Sequence, residues 1–417
     1  MLRRYVEDKL ALCWSPRQIS ERLVVDFPDD PAMRVSHETI YTSLFVQAKS
    51  VLSPELTGKL RTRRVRRHPR RRVSLDHGRR SRIPDLRNIS ERSVEALDRG
   101  LLERVRNAVV PAVLTPMTAD GALAEDALER YALAISGSGV AGLGVWAHTG
   151  RGPYLSADQR KRVLRTFRAT TGLPLVVGVG TRPADDTDAA SESVSVYRMA
   201  EEAVEGGADA LLVFPGGRPG DPDAARARET MRRHARLAQD FDVPLVAFLL
   251  HAEAGGFPYS RNLVHDLLAM PHTVGIKLAT LDSAMACQDA ITLVHESYPD
   301  RLAITGEDRM FGASLMWGAD GALVGIAAAV PELTTGVTDT WIHGRAEAFL
   351  SASGRLDRFA SATFRAPMEG YVQRMLWAAE WQGTIPPHAS HDPFGPRLPA
   401  SDRNRVRATL DELGGSC

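Results

Sequence analysis

The sequence reads as an α/β protein. It predicts a (β/α)8 TIM barrel with extra C-terminal helices, preceded by a small all-α, helix-turn-helix-like region and a basic linker. Three features carry this reading. Apolar runs of strand length alternate eight times with stretches of helical spacing from Val109 onward. Charge divides the chain, with 22 Lys and Arg against 13 Asp and Glu in residues 1–99 and 30 against 38 in the remainder. Helix-capping patterns mark the basic part. The boundaries follow as 1–58 for the head, 59–104 for a basic, partly disordered linker, 105–332 for the barrel and 333–417 for the helical extension.

The head opens its first capped helix at "SPRQISERL". Ser15 suits an N-cap, Pro16 the first helical position and Gln18 the capping-box partner. Ile19 and Leu23 then share a face. After the polar "DFPDDPAMRV", "SHETIYTSLFVQ" predicts a second helix capped by Ser36, with Ile40, Leu44 and Phe45 turned inward. The connection is longer than that of a usual helix-turn-helix. From Lys59 to Arg72, nine of fourteen residues are Lys or Arg. Such a run builds no core. Arg61, Arg63, Arg64, Arg66, Arg67, Arg70, Arg71 and Arg72 suit DNA phosphates, a nonspecific and strongly salt-dependent partner. A solvated linker is the bland alternative.

The barrel strands are expected at "AVVPAVL", "GVAGLGVWA", "PLVVGVG", "ALLVFP", "PLVAFLL", "VGIKLA", "LAITG" and "GALVGIA". Helical stretches such as "EDALERYALAI" and "DAARARETMRRHARLAQ" lie between them. A doubly wound open sheet is the competing architecture. The phosphate-type glycine motif it often carries is absent after the first strand, which runs into "LTPMTADG". Residues 333–417 read as helices with a Pro-rich stretch at 385–399.

Composition narrows the function classes. With 44% hydrophobic and 25% charged residues the chain resembles ordinary soluble proteins. No apolar run nears the ~20 residues of a membrane span, and the charged N-terminus lacks a signal-peptide core. Cys13, Cys287 and Cys417 offer neither zinc spacing nor a disulfide framework. A reducing, cytoplasmic setting is expected.

Lys277 stands late in the sixth strand among apolar residues. Burial there lowers an amine's pKa, and a neutral amine attacks carbonyls to form a Schiff base. A lysine paired with a buried Glu307 or Asp308 is the structural alternative.

Two resemblances add to these readings. "WSPRQISERLVVDFPDDPAMRVSHETIYTSLFVQ" and "RIPDLRNISERSVEALDR" resemble the DNA-binding part of insertion-sequence transposases of the IS-thirty class, over residues 4–99. The likeness stops near Arg99, before that family's first catalytic aspartate, so it implies a truncated head without transposition chemistry. "VVPAVLTPMTADGAL", "GVAGLGVWAHTGRGPYLS", "VGIKLAT", "ITGEDRMF" and "WGADGALVGIAAAVPE" resemble, in order, the dihydrodipicolinate synthase/N-acetylneuraminate lyase family over about residues 105–410.

The second resemblance implies a class I, Schiff-base lyase or aldolase acting on pyruvate or another 2-oxo acid. It implies no cofactor and no metal, and a homo-oligomer, dimer or tetramer, formed through the barrel. Lys277 matches the Schiff-base lysine. The family's Gly-Thr-Thr-Gly-Glu loop is "AHTGR" here, so Thr149 and Gly150 match the carboxylate-binding positions and His148 replaces a threonine. His148 is a candidate proton carrier or a structural histidine. Phe248 stands where the family has its proton-relaying tyrosine, and Glu253 where synthases place an arginine. Gly306 and Leu323 complete the implied substrate-binding set. The tyrosine pair after strand four is replaced by "FPGGRPGD". These departures argue against a true dihydrodipicolinate synthase and leave the acid/base to His148, His251, Glu253 or water. A DNA-binding fragment fused to an inert barrel is the alternative, and a fusion without selected joint function a third reading.

Overall fold

Eight short parallel strands form a ring in the computed structural model, which describes residues 2–11, 16–28, 30–36, 39–40, 94–181, 189–218 and 220–414. The strands are β1 (Val109–Pro111), β2 (Leu143–Val145), β3 (Leu175–Val179), β4 (Ala210–Val213), β5 (Leu245–Leu250), β6 (Thr273–Ala279), β7 (Leu302–Thr305) and β8 (Gly321–Val324). They pair in the order β1-β8-β7-β6-β5-β4-β3-β2. A parallel bridge between Ala112 and Gly144 joins β1 to β2 and closes the barrel. Each expected strand is present, and the open-sheet alternative is excluded.

The strands are apolar along their length because both faces are covered. Alternation still decides direction. Leu245, Ala247 and Leu249 of β5 pack outward with the helices, whereas Val246, Phe248 and Leu250 join the inner cluster. On β6, Ile276 and Leu278 face the outer layer. Lys277 lies between them in sequence and pairs in register with Phe248, so it is directed into the barrel.

Helix α3 (Val94–Val105) precedes β1. Leu101 and Val105 join the inner cluster with Val110 and Leu302. Residues 94–104 are therefore helical, where the sequence reading had placed the end of a linker. The outer helices are α4 (Glu125–Ser136), α5 (Ala157–Thr170), α6 (Ala189–Glu205), α7 (Asp223–Asp240), α8 (Arg261–Leu268), α9 (Ala284–Ser297) and α10 (Phe311–Met316).

The extension comprises α11 (Pro331–Ile342), α12 (Ala346–Thr363), α13 (Tyr371–Trp381) and α14 (Ala400–Glu412). Arg374 of α13 is fully buried. Its guanidinium donates to the carbonyls of Thr363, Arg365, Ala366 and Pro367 and pairs with Asp402. Satisfying so many donors at once fixes the α12–α13 connection. That connection carries Glu369, and Tyr371 opens α13.

The N-terminal residues form a separate unit. Helices α1 (Leu2–Ala11) and α2 (Pro16–Asp26) share a small core of Val6, Ile19, Leu23, Met33 and Ile40. Helix α1 was not anticipated. Ser36 Oγ accepts from the Thr39 N–H, the expected cap of the second predicted helix. Leu44, Phe45 and the basic residues Arg61, Arg63, Arg64, Arg66, Arg67, Arg70, Arg71 and Arg72 lie outside the described residues. No described helix is long and apolar enough to cross a membrane.

Candidate active site

Lys277 is 5% exposed, inside the barrel. Its Nζ stands 4.3 Å from the centre of the Phe248 ring. Gly306, at the end of β7, makes room for it: a Cβ there would lie 2.6 Å from Lys277 Cε. Burial lowers the lysine's proton affinity, against the pull of Asp308 and Glu307. Burial raises the Asp308 carboxyl, against the Ile326 N–H and the lysine. Burial thus favours the neutral form of each group, while the charge of each favours the ionised form of the other. Glu307 has a different task. Its carboxylate accepts from the Thr280 and Leu281 amides at 2.6 and 2.8 Å and from Thr280 Oγ1, which ties the end of β6. Leu323 packs in the inner cluster beside Gly144.

The loop after β2 forms a second wall. Thr149 is buried, and its hydroxyl shares a 3.1 Å hydrogen bond with the Tyr371 hydroxyl. Thr115 Oγ1 donates to the Gly150 carbonyl at 2.7 Å. A side chain at Gly150 would place Cβ 2.7 Å from the Val113 carbonyl, so glycine is required there. His148 Nε2 donates to Glu369 at 2.9 Å, and its ring stacks on Tyr371 at 6.1 Å. Arg151 joins Glu369 at 2.6 Å and the fully buried Asp392 at 2.7 Å. Burial pushes Glu369 upward, but His148 and Arg151 outweigh it and hold the carboxyl at about 2.

Sequence reasoning missed Glu369, Tyr371 and Asp392, all supplied by the extension. One signal was present. The fifth position of "AHTGR" is Arg151 where the family loop ends in glutamate, and a buried arginine requires carboxylates from elsewhere.

Above these walls opens a small cavity lined by His148, Tyr154, Thr181, Phe214, Arg218 and Leu250 among others. Phe214 lies edge-on to Phe248, with ring centres 5.2 Å apart. Phe248 in turn faces Lys277. His251 is partly buried, and burial together with His148 lowers its proton affinity. Glu253 does not join the cavity. It is exposed on the short turn Ala252–Ala254. Tyr259 donates to the Phe248 carbonyl and packs in the outer layer, so it does not occupy the place of the missing tyrosine.

The profile of the Dihydrodipicolinate synthetase family matches residues 106–413. An uncharacterised DapA-like lyase of Chloroflexus aurantiacus is 30% identical over 253 residues, covering 58% of this chain and 79% of the relative. The crystal structure of YagE, a prophage protein of E. coli K12 of the dihydrodipicolinic acid synthase family in complex with pyruvate, shares the fold. It has a TM-score of 0.63 and 21% identity, covering 73% of this chain and 98% of that one. A separate match, 38% identical over 99 residues, is to the transposase for insertion sequence element IS1086 of Cupriavidus metallidurans. It covers 24% of this chain and 27% of the transposase.

Proposed function

Because the chain belongs to the dihydrodipicolinate synthetase family, a family of lyases, we propose that its barrel is a Schiff-base lyase or aldolase acting on a 2-oxo acid. The carrying observation is Lys277, buried in the barrel with burial lowering its proton affinity. Its neutral amine attacks the 2-oxo carbon, and loss of water gives an iminium with Lys277 Nζ. The iminium accepts the electron pair of an adjacent C–C or C–H bond as that bond breaks, and returns it in the reverse direction. Asp308 is the carboxyl beside the amine that takes up and returns a proton as the nitrogen changes charge.

Thr149 and Gly150 bind the 2-oxo acid carboxylate in this reading. The proton work that Phe248 cannot do falls to the Tyr371–Thr149 hydroxyl pair, with His148, oriented by Glu369, as a second carrier at the cavity wall. Phe248, Gly306 and Leu323 shape the lysine's surroundings. Glu253 is assigned no contact with substrate. The departures at Phe248, Glu253 and "FPGGRPGD" set the substrate apart from that of a true dihydrodipicolinate synthase. Homo-oligomerisation through the barrel belongs to the same proposal.

Incubation with pyruvate and borohydride tests it. The full chain is expected to gain a stable covalent adduct that Lys277→Ala lacks. A folded protein that traps no 2-oxo acid at all would defeat the reading.

A second reading concerns the head. The transposase match and the nine basic residues between Lys59 and Arg72 favour nonspecific duplex DNA binding. Affinity is expected to fall steeply between low and physiological salt; salt-independent binding contradicts phosphate contact.

A further inference from the structure

The β4–α7 connection, "FPGGRPGD", holds a cationic group that the proposed reaction leaves unused. Arg218 lines the cavity. Its backbone N–H donates to Asp221, which fixes the turn. Its Nη2 is buried and has no hydrogen-bond partner. A buried guanidinium donor without an acceptor is costly, and an anionic ligand relieves that cost.

The neighbouring charges do not fill this role. Glu192, also on the cavity wall, is ion-paired with buried Arg233 and accepts from Thr181 Oγ1 at 3.3 Å. His148 is held by Glu369. Asp221 meets Arg218 through the backbone. The rest of the wall near Arg218 includes the apolar Phe214, Leu250 and Ala254. Among the described residues the cavity therefore offers one unmatched cation beside an apolar surface.

We infer that Arg218 binds a second anion at the far end of the substrate, which makes the substrate class a 2-oxo acid with a distal carboxylate or phosphate joined through a short carbon chain. This inference rests on the Schiff-base reading, with the 2-oxo group at Lys277 and the distal anion in the cavity. The guanidinium fork suits either oxyanion, because both accept paired N–H donors.

The test is borohydride trapping by the full chain as a function of probe concentration. The probes are pyruvate, 2-oxopentanoate, 2-oxoglutarate and 4-phosphono-2-oxobutanoate. At least one of the two probes with a distal anion is expected to half-saturate about tenfold or more below 2-oxopentanoate, which carries no distal charge. Which of them does so distinguishes carboxylate from phosphate. Arg218→Gln should erase that preference and leave the pyruvate curve unchanged, while Arg218→Lys should retain part of it. Equal half-saturation by 2-oxopentanoate and both probes with a distal anion in the unaltered protein overturns the inference, and needs no variant. A preference that survives in Arg218→Gln, or an equal loss for pyruvate, overturns it too. Trapping of pyruvate without any anion preference sinks this inference alone; failure to trap any probe removes the Schiff-base reading and this inference with it.

Discussion

The lysine wall and the loop wall of the site are built in opposite ways. Around Lys277, carboxyl and amine are deprived of water, and burial pushes each toward its neutral form. Around Thr149, the same fold holds charges in their ionised form: Arg151 lies between Glu369 and Asp392, and Glu369 also receives His148. The first wall comes from neighbouring strands β5, β6 and β7. The second joins the β2 loop to residues more than two hundred positions away. A chemical group kept neutral is poised to react, whereas a saturated ion network is rigid. In the proposed reaction the lysine wall forms the bond to the substrate, while the loop wall holds its carboxylate and moves protons through Tyr371, Thr149 and His148.

The largest effect that would break this contrast is at Arg151. Arg151→Met leaves Asp392 buried without its cation, and removing one partner of a buried pair costs about 3–5 kcal/mol. Urea unfolding of the full chain checks it; a loss below about 1 kcal/mol would mean that the loop wall is not held by these charges.

Acid exposes the same difference through Glu369. Its folded value of about 2 lies below the ordinary value of 4.5, so the unfolded chain binds the proton more readily. Its contribution is present above about pH 4.5 and is lost as pH falls through about 2, amounting to ~3 kcal/mol. Glu369→Gln should flatten stability against pH in that window, which melting curves at a series of pH values would show. An unchanged slope contradicts the assignment.

Tyr371→Phe separates holding from chemistry. It removes the hydroxyl bonded to Thr149, so trapping should slow by about 10²-fold, the lower range for general acid–base catalysis. Half-saturation should move far less. A variant that changes half-saturation alone would make Tyr371 a positioning group.

The smallest expected effect is at Glu253. Its exposed place on the Ala252–Ala254 turn predicts that Glu253→Gln alters trapping by no more than about twofold, within the usual ±0.5 kcal/mol of surface changes. A larger loss would bring that turn into the site.

The two walls also differ in how far the sequence reveals them. The apolar run around Lys277 marks it in the sequence as a buried strand lysine, whereas Phe248 beside it emerges only from the β5–β6 register, a pairing between strands. Apolar runs likewise mark all eight strands. Nothing local announces Tyr371 or Asp392, since each is defined by a contact across the chain rather than by its neighbours. Helix α3 was hidden differently: it follows a basic segment, and its pattern merges with that polar surrounding. Glu253 shows the limit of counting along a loop, because the turn after β5 carries it to the surface.

One lysine carries the proposed chemistry. The sequence holds Lys9, Lys49, Lys59 and Lys161 besides Lys277, and Lys161 is exposed on α5. Proteolytic digestion and mass mapping of the pyruvate–borohydride adduct on the intact protein therefore tests the central claim directly. The prediction is a single modified peptide containing Lys277, absent in Lys277→Ala and in Lys277→Arg, whose guanidinium stays protonated. An adduct at any other lysine, or one that persists in Lys277→Ala, would contradict it.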